Sequence, residues 1–284
     1  MRHIEWKNIV EVVKALCIKA AYELPPDVLT ALQKAAQSES NPLAAKILQQ
    51  LVENARLASE ERIPLCQDTG LAVVFVEQGG EVVIECPAGK TAVDAINAGV
   101  TAGYEKGFLR KSVVSEPMQH RKNTGSNCPA VIHWSIVPGD KLKITFMAKG
   151  GGCENKSAFR MFKPTAAAGE MVDWVVEVVK NAGADACPPF VVGVGIGGNF
   201  EVSCLLSKKA LVRSIAQPNA DLFYAGLEKD LLIRINRLNV RPQGLGGDTT
   251  ALAVLIETAP CHIASLPVAV NIECHSHRHG ATEI

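Results

Sequence analysis

The chain has 284 residues, of which 48% are hydrophobic and 20% charged, so it has enough apolar material for a substantial core. Its 29 basic and 29 acidic residues balance, which gives no reason to expect a nucleic-acid or membrane-surface partner. No apolar run approaches the roughly 18 residues that cross a bilayer. The opening segment MRHIEWKNIV lacks the apolar stretch of a secretory signal. We therefore expect a cytoplasmic protein with no membrane partner.

Nine cysteines, an odd number, lie in this chain without any sign of export. This favours reduced thiols, some of them metal ligands, over disulfides. Cys17, Cys86 and Cys204 lie in apolar surroundings and are predicted to be small buried hydrophobic side chains. Spacing alone does not say which of the other thiols meet in space.

The sequence of residues 1–62 predicts an N-terminal helical layer. Apolar side chains at helical spacing predict a helix over 4–22. Asn41-Pro42 resembles an N-cap followed by proline at the first helical position, which predicts a second helix ending near Arg62.

Residues 63–284 predict an α/β body. Two hairpins are expected, one with strands at 71–77 and 81–85, the other with strands at 131–137 and 141–148. Helices are predicted over 91–107, 165–181 and 219–238, and further strands over 189–194, 250–257 and 267–273. Strands thus arrive both in hairpins and between helices. We expect a mixed α/β (α+β) fold, with helices covering mixed parallel and antiparallel sheets in a single domain spanning 1–284.

Two irregular segments place polar groups between regular elements, where functional groups are usually displayed. In ERIPLCQDTG, Cys66, Gln67 and Asp68 precede a Thr-Gly turn; a polar turn with a buried cysteine is the alternative. In AKGGGCENKS, three consecutive glycines, 150–152, leave backbone N–H groups able to approach an anionic ligand. A flexible hairpin-to-helix connection is the alternative there.

The segment ADACPPFVVGVGIGGNFE combines a cysteine with a glycine pattern. Two prolines after Cys187 hold its thiol on a rigid bend. Gly193, Gly195 and Gly198 have the G-x-G-x-x-G spacing, which would suit a nicotinamide-dependent oxidoreductase. The match stands alone, without repeated strand–helix–strand units. It therefore favours glycines that allow tight strand–helix packing.

Residues 257–280 hold two cysteines and four of the seven histidines: Cys261, His262, Cys274, His275, His277 and His279. Cysteine and imidazole are the usual zinc ligands, so a zinc-stabilised binding subunit without chemistry stays open. The His-x-His-x-His alternation does not match common zinc spacings. A solvated polar turn beside one functional thiol is equally favoured.

An ordered set of motifs resembles one family. CQDTG, GGGCENKS, ACPPFVVGVGIGGNFE, PQGLGGDTTALAVLIETAPCHIASLPVAV and the final Cys274 are similar to class I (iron–sulfur) fumarate hydratases and to the related L-tartrate dehydratase alpha subunit. The resemblance runs from about residue 60 to the C-terminus. It implies a hydro-lyase with a 4Fe–4S cluster, held by Cys66, Cys187 and Cys274, that keeps one iron open to the substrate as a Lewis acid.

The resemblance also implies roles for further residues. Gln67 and Asp68 would face the substrate, and Asp68 would position or assist the general base. Arg110, in GFLRKS, would pair with a substrate carboxylate, and His262 would hydrogen-bond near the labile hydroxyl. Backbone contacts to the substrate would come from Gly150, Gly151 and Gly152.

Single-chain members of this family carry a second, C-terminal domain with further catalytic groups, for which this sequence has no counterpart. The chain therefore resembles the alpha subunit of the split form, and we expect a beta subunit, with a heterotetramer as the assembly. The expected reaction is the hydration of fumarate, a small dicarboxylate, to malate. L-tartrate dehydratase and mesaconate hydratase are the alternatives within the family.

Overall fold

A computed structural model describes all 284 residues and divides them into two compact units. The first unit contains residues 1–25, 55–151 and 278–284, and the second contains 26–54 and 152–277. The chain thus passes from one unit to the other after Pro25, Asn54, Gly151 and His277. Each unit is assembled from separate stretches of sequence.

Eight helices and ten strands make up the two units, which confirms the mixed α/β class. The helices are α1 Trp6–Tyr22, α2 Pro26–Ser38, α3 Pro42–Glu60, α4 Ala92–Lys106, α5 Gly151–Glu154, α6 Ala168–Ala182, α7 Phe200–Ala210 and α8 Leu222–Asn236. The strands are β1 Arg2–Glu5, β2 Leu71–Gly79, β3 Val82–Glu85, β4 Val131–Val137, β5 Leu142–Lys149, β6 Ala158–Phe162, β7 Phe190–Gly197, β8 Ala251–Ala259, β9 Leu266–Glu273 and β10 His279–Glu283. None of the helices combines the length and the apolar character needed to span a bilayer.

The first unit is built on a four-stranded sheet in the order β10-β5-β2-β4, in which β2 is parallel to β4 and antiparallel to β5. Helices α1 and α4 pack together, and α1 also contacts β5 and β10. Gly99 makes the close approach of the two helices possible, because a Cβ there would lie 2.6 Å from the Cβ of Val13. The buried side chains of these elements form one apolar core.

The second unit is built on a four-stranded sheet in the order β6-β9-β7-β8, in which β7 is parallel to β8 and antiparallel to β9. Strand β7 is buried along its whole length. Helix α7 packs on β7, and α8 packs on β8. A second apolar core forms among these elements and α6.

The main sheets of the two units share one arrangement of strands. In the first unit, the first strand β2 is joined through a helical segment to its parallel neighbour β4, and the return strand β5 then pairs antiparallel with the other side of β2. In the second unit, β7 is the first strand, β8 its parallel neighbour and β9 the return strand. Leu71 therefore lies opposite Lys149 in the first unit, and Val191 lies opposite Glu273 in the second. The loop before the first strand and the loop after the return strand consequently lie at the same edge of each sheet.

Both predicted hairpins are wrong, although their strands exist. Strand β3 pairs with β1 rather than β2, and β2 lies between β4 and β5. The end of β2 instead bonds to the segment that connects β4 to β5: Gly79 N donates to Lys141 O at 2.7 Å, and Gly80 N donates to Val137 O at 2.8 Å. Residues 138–140 do connect β4 to β5, but β2 lies between these two strands in the sheet.

The five helices expected from periodicity or capping are confirmed to within a few residues as α1, α3, α4, α6 and α8. Helices α2, α5 and α7 and strands β1, β6 and β10 were not predicted. The helices of the N-terminal layer divide between the units, with α1 in the first and α2 in the second. A single domain over 1–284 stays a prediction.

The glycines of the G-x-G-x-x-G segment serve strand–helix packing, as predicted. A Cβ at Gly193 would overlap the carbonyl oxygen of Ser207, and one at Gly195 would overlap that of Ser203. Both oxygens belong to α7, whose backbone lies directly on β7. Gly198 has φ +70°, and a Cβ there would overlap Val202.

We predict that Gly195→Ala lowers the free energy of unfolding by about 1–3 kcal/mol, because the added methyl group forces α7 away from β7. Gly169→Ala is the matched control, since a Cβ at that helical position meets no atom within 4 Å and alanine favours a helix. Urea unfolding followed by circular dichroism measures both variants. Equal stability of Gly195→Ala and the parent chain would contradict the packing role.

Candidate functional site

The loop of residues 66–70 precedes β2 at the edge of the first unit's sheet. The side-chain oxygen Oε1 of Gln67 accepts a hydrogen bond from Cys66 Sγ at 3.1 Å and one from Asp68 N at 2.8 Å. Cys66 and Asp68 are half-buried, and Gln67 is exposed. A thiol, an amide and a carboxylate thus lie together in a loop that solvent reaches.

Buried polar groups hold the end of this loop in place. The hydroxyl of Tyr104 donates to Thr69 O at 2.7 Å and to Gly70 O at 3.0 Å, and Asn127 Nδ2 donates to Gly70 O at 3.1 Å. Burial raises the pKa of Tyr104 well above its usual range, so the hydroxyl remains a donor. Gly70 has φ +77°, and a Cβ there would lie 2.8 Å from the carbonyl carbon of Ala148. Only glycine fits this position without a shift.

Asp68 is fixed through three of its oxygen atoms. Its carboxylate accepts from Gly70 N through Oδ1 at 3.1 Å and from Gly151 N through Oδ2 at 2.9 Å. Its backbone carbonyl accepts from Nη1 of Arg278, whose side chain is fully buried. The structure therefore brings Asp68 against the glycine segment that follows β5.

Arg110 lies beside the same loop through its backbone. Its carbonyl oxygen accepts from the Thr69 hydroxyl, while its exposed guanidinium donates from Nε to Ser112 Oγ at 3.3 Å. In the glycine segment, Gly150 is buried and Gly151 is exposed. The first unit thus gathers Cys66, Gln67, Asp68, Arg110, Gly150 and Gly151 around one sheet edge.

Cys187 precedes β7 in the second unit and is exposed. It follows a 3₁₀ turn over Ala184–Ala186 and has φ +56°, a left-handed conformation that is uncommon for residues other than glycine. Its carbonyl oxygen accepts from His275 N at 3.3 Å. Gln243 donates to Pro188 O from N at 3.1 Å and from Nε2 at 2.6 Å. The bond from His275 N therefore connects the bend that carries Cys187 to the residue that follows Cys274.

Cys274 directly follows β9 and belongs to a compact group of possible ligands. Oε1 of the fully buried Glu273 accepts from Cys153 Sγ at 3.2 Å and from Cys274 Sγ at 3.7 Å. One ligand atom from each of the three residues lies within 4.8 Å of the other two. Sequence analysis missed Glu273; the signal was a carboxylate ending the otherwise apolar strand PVAVNIE.

His262 lies in an exposed loop between β8 and β9. Its Nδ1 accepts from Ala264 N at 3.1 Å, and its carbonyl oxygen accepts from Ser265 N at 2.9 Å. A neutral imidazole whose Nδ1 accepts carries its proton on Nε2. The loop thus presents a ring N–H donor.

Comparison with known proteins identifies the family. Residues 10–283 match the model of the family described as fumarate hydratase (Fumerase). The chain belongs to this family. The putative L(+)-tartrate dehydratase subunit alpha of Methanocaldococcus jannaschii is 40% identical over 280 residues, which is 98% of each chain. The L(+)-tartrate dehydratase subunit alpha of Escherichia coli strain K12 is 31% identical over 276 residues, 96% of this chain and 89% of that one.

Membership of the fumarate hydratase family makes the chain part of a hydro-lyase. The family motifs are distributed over both units: Cys66, Gln67, Asp68, Arg110, Gly150 and Gly151 lie in the first, and Gly152, Cys187, His262 and Cys274 lie in the second. Within the second unit, the segments of Cys187 and Cys274 meet. That Cys66, Cys187 and Cys274 bind a cluster stays a prediction.

One expectation about the cysteine- and histidine-containing segment needs correction. The polar turn after Cys274 is not solvated, because Ser276, His277 and Arg278 are buried. The group of possible ligands at Cys274 includes a carboxylate and a second thiol, and no histidine.

The three cysteines expected to be structural have different surroundings. Cys17 is buried, as predicted, and its Cβ would lie 2.7 Å from a Cβ at Gly103. Cys86 is exposed, so the prediction for it was wrong, and Cys204 is half-buried. Cys86 directly follows β3, and its apolar neighbours in sequence do not continue into a buried strand.

We predict that Tyr104→Phe lowers the free energy of unfolding by about 1–3 kcal/mol, because Thr69 O loses its hydroxyl donor and Gly70 O keeps only the bond from Asn127. Tyr22→Phe is the matched control: its buried hydroxyl donates to Gly107 O at 2.8 Å, at the end of α4. Denaturant unfolding should detect a loss in both variants. Hydrogen exchange should speed up at 66–70 in Tyr104→Phe only, and equal exchange there in both variants would contradict the role.

Proposed function

We propose that this chain is the alpha subunit of a hydro-lyase that interconverts fumarate and malate. The observation that carries the proposal is the environment of Asp68. Its carboxylate is fixed by two backbone N–H groups beside the Cys66 thiol and the Gln67 amide. A fixed carboxylate in a loop that solvent reaches suits general acid–base work on a small polar substrate.

The thiols of this chain fit the iron–sulfur cluster that the family resemblance implies. Cys187 is exposed, and Cys66 and Cys274 are half-buried. Thiolates are the usual ligands of such clusters, and we assign this role to these three residues. When bound, a 4Fe–4S cluster with an open iron supplies a Lewis acid for the hydroxyl group that leaves.

The chain's own residues supply the remaining groups for the reaction. Dehydration of malate removes a proton alpha to a carboxylate, and the extra negative charge that develops there requires cationic and N–H donors. Arg110 has a planar guanidinium suited to bidentate pairing with a substrate carboxylate. His262 has an Nε2–H donor for the labile hydroxyl, and the backbone of Gly150, Gly151 and Gly152 contacts the substrate. Asp68 positions or assists the base.

A second subunit is part of the proposal. Relatives that cover nearly the whole chain are named as alpha subunits, which supports a division of the enzyme between two chains. We propose a beta subunit that completes the active site in a heterotetramer. The same relatives are named L(+)-tartrate dehydratases, and L-tartrate is therefore the second candidate substrate, ahead of mesaconate.

The test is anaerobic co-purification of the chain with its candidate beta subunit, followed by metal analysis and assays with fumarate, L-tartrate and mesaconate. We expect about four iron and four sulfide ions per alpha chain, with turnover in the complex and none in the alpha chain alone. Stoichiometric zinc without sulfide would contradict the cluster. Full activity of the single chain would contradict the need for a partner, and the preferred substrate follows from kcat/KM.

We predict that Asp68→Asn in the complex lowers kcat about 100-fold or more, because the amide cannot assist proton transfer. Iron and sulfide content should stay the same, since Asp68 is not an assigned ligand. Asp140→Asn, in the exposed turn between β4 and β5, is the control and should leave both quantities unchanged. Unaltered turnover of Asp68→Asn would remove this residue from the mechanism.

A further inference from the structure

The ligand group at the end of β9 has the dimensions of a site for a single metal ion. Tetrahedral zinc binds sulfur at about 2.3 Å and carboxylate oxygen at about 2.0–2.2 Å, so its ligands lie roughly 3.5–3.8 Å apart. Oε1 of Glu273 lies 3.2 Å from Cys153 Sγ and 3.7 Å from Cys274 Sγ. All three ligand atoms lie within 4.8 Å of one another. Small side-chain rotations would close the set around one ion.

The elements that carry these ligands are fixed by other contacts. Glu273 ends β9 and lies opposite Val191 of β7. Cys153 lies in α5 next to Glu154, whose carboxylate accepts from Lys208 of α7 and from Asn271 Nδ2 of β9, the latter at 3.1 Å. Two ligands are buried and Cys274 is half-buried. The group therefore combines a rigid frame with one partly exposed ligand.

We propose that Cys153, Glu273 and Cys274 bind one divalent metal ion of the zinc class. On binding, both Sγ–H protons pass to solvent, and the ion bonds to two thiolates and one carboxylate oxygen, with water as a fourth ligand. No electron is transferred. Two thiolates and a carboxylate give the site a charge of −3, which suits a divalent cation.

This site and the proposed cluster require the same thiolate, that of Cys274. Where the proposed function holds, the ion and the cluster therefore exclude each other, and zinc bound to the chain blocks cluster assembly. Cys153 and Glu273 have no part in the assigned cluster ligand set. Variants at these two residues thus separate one site from the other.

The first test is an anaerobic titration of the metal-free full chain with Co²⁺, read by thiolate-to-cobalt charge-transfer absorbance. We expect one Co²⁺ per chain, and a dissociation constant raised at least about tenfold in Cys153→Ser and in Glu273→Gln, each of which loses one ligand. Cys66→Ser, Cys187→Ser and Cys261→Ser are the matched controls and should bind as the parent does. Thermal unfolding checks that each variant is folded. If one of the two ligand variants does not fold, the other alone decides the test.

Two outcomes would overturn the site. Unchanged affinity in both ligand variants would show that cobalt binds elsewhere. Equal loss in Cys66→Ser and Cys187→Ser would place the ion in the assigned cluster ligands.

Mutual exclusion is tested by adding one equivalent of Zn²⁺ before anaerobic cluster reconstitution. We expect reduced uptake of iron and sulfide in the parent chain and normal uptake in Cys153→Ser. Full uptake by the zinc-loaded parent would contradict exclusion. Failure of both chains to take up a cluster without zinc would instead count against the proposed function, while the cobalt titration still decides the metal site.

Discussion

The antiparallel pairing of the first and return strands is the constraint on which the candidate site depends. Strands that run in opposite directions place the start of one beside the end of the other. In the first unit this brings Asp68 to Gly151 across 83 residues of sequence. In the second unit it brings the bend at Cys187 to the segment after β9. Each unit therefore presents two motif-bearing loops at one sheet edge.

The sequence predicted the elements better than their pairing. Helices α1 and α6 follow from the spacing of apolar side chains, which is a local property. The turn signals at Gly79-Gly80 and at 138–140 were also local, and they suggested hairpins. The insertion of β2 between β4 and β5 is decided by contacts across the whole first unit, and no short pattern encodes it.

The candidate site shows the same division. Cys66, Gln67 and Asp68 stand together in a short motif, so both their type and their grouping could be predicted. Tyr104 and Arg278, which hold that loop, could not, because their roles depend on burial and on partners distant in sequence. Arg278 lies in a segment rich in polar residues that indicated exposure. Burial of a guanidinium is costly unless its donors are satisfied, and a bond to a backbone carbonyl leaves no trace in sequence.

The order of segments along the chain has a consequence for biosynthesis. A ribosome completes residues 152–277, which form most of the second unit, before it adds Arg278 and β10 to the first. The buried guanidinium that binds the carbonyl of Asp68 thus emerges after all of these residues. A nascent chain halted after residue 274 and before residue 278 has made Cys66, Cys187 and Cys274 while the loop of Asp68 still lacks one of its supports.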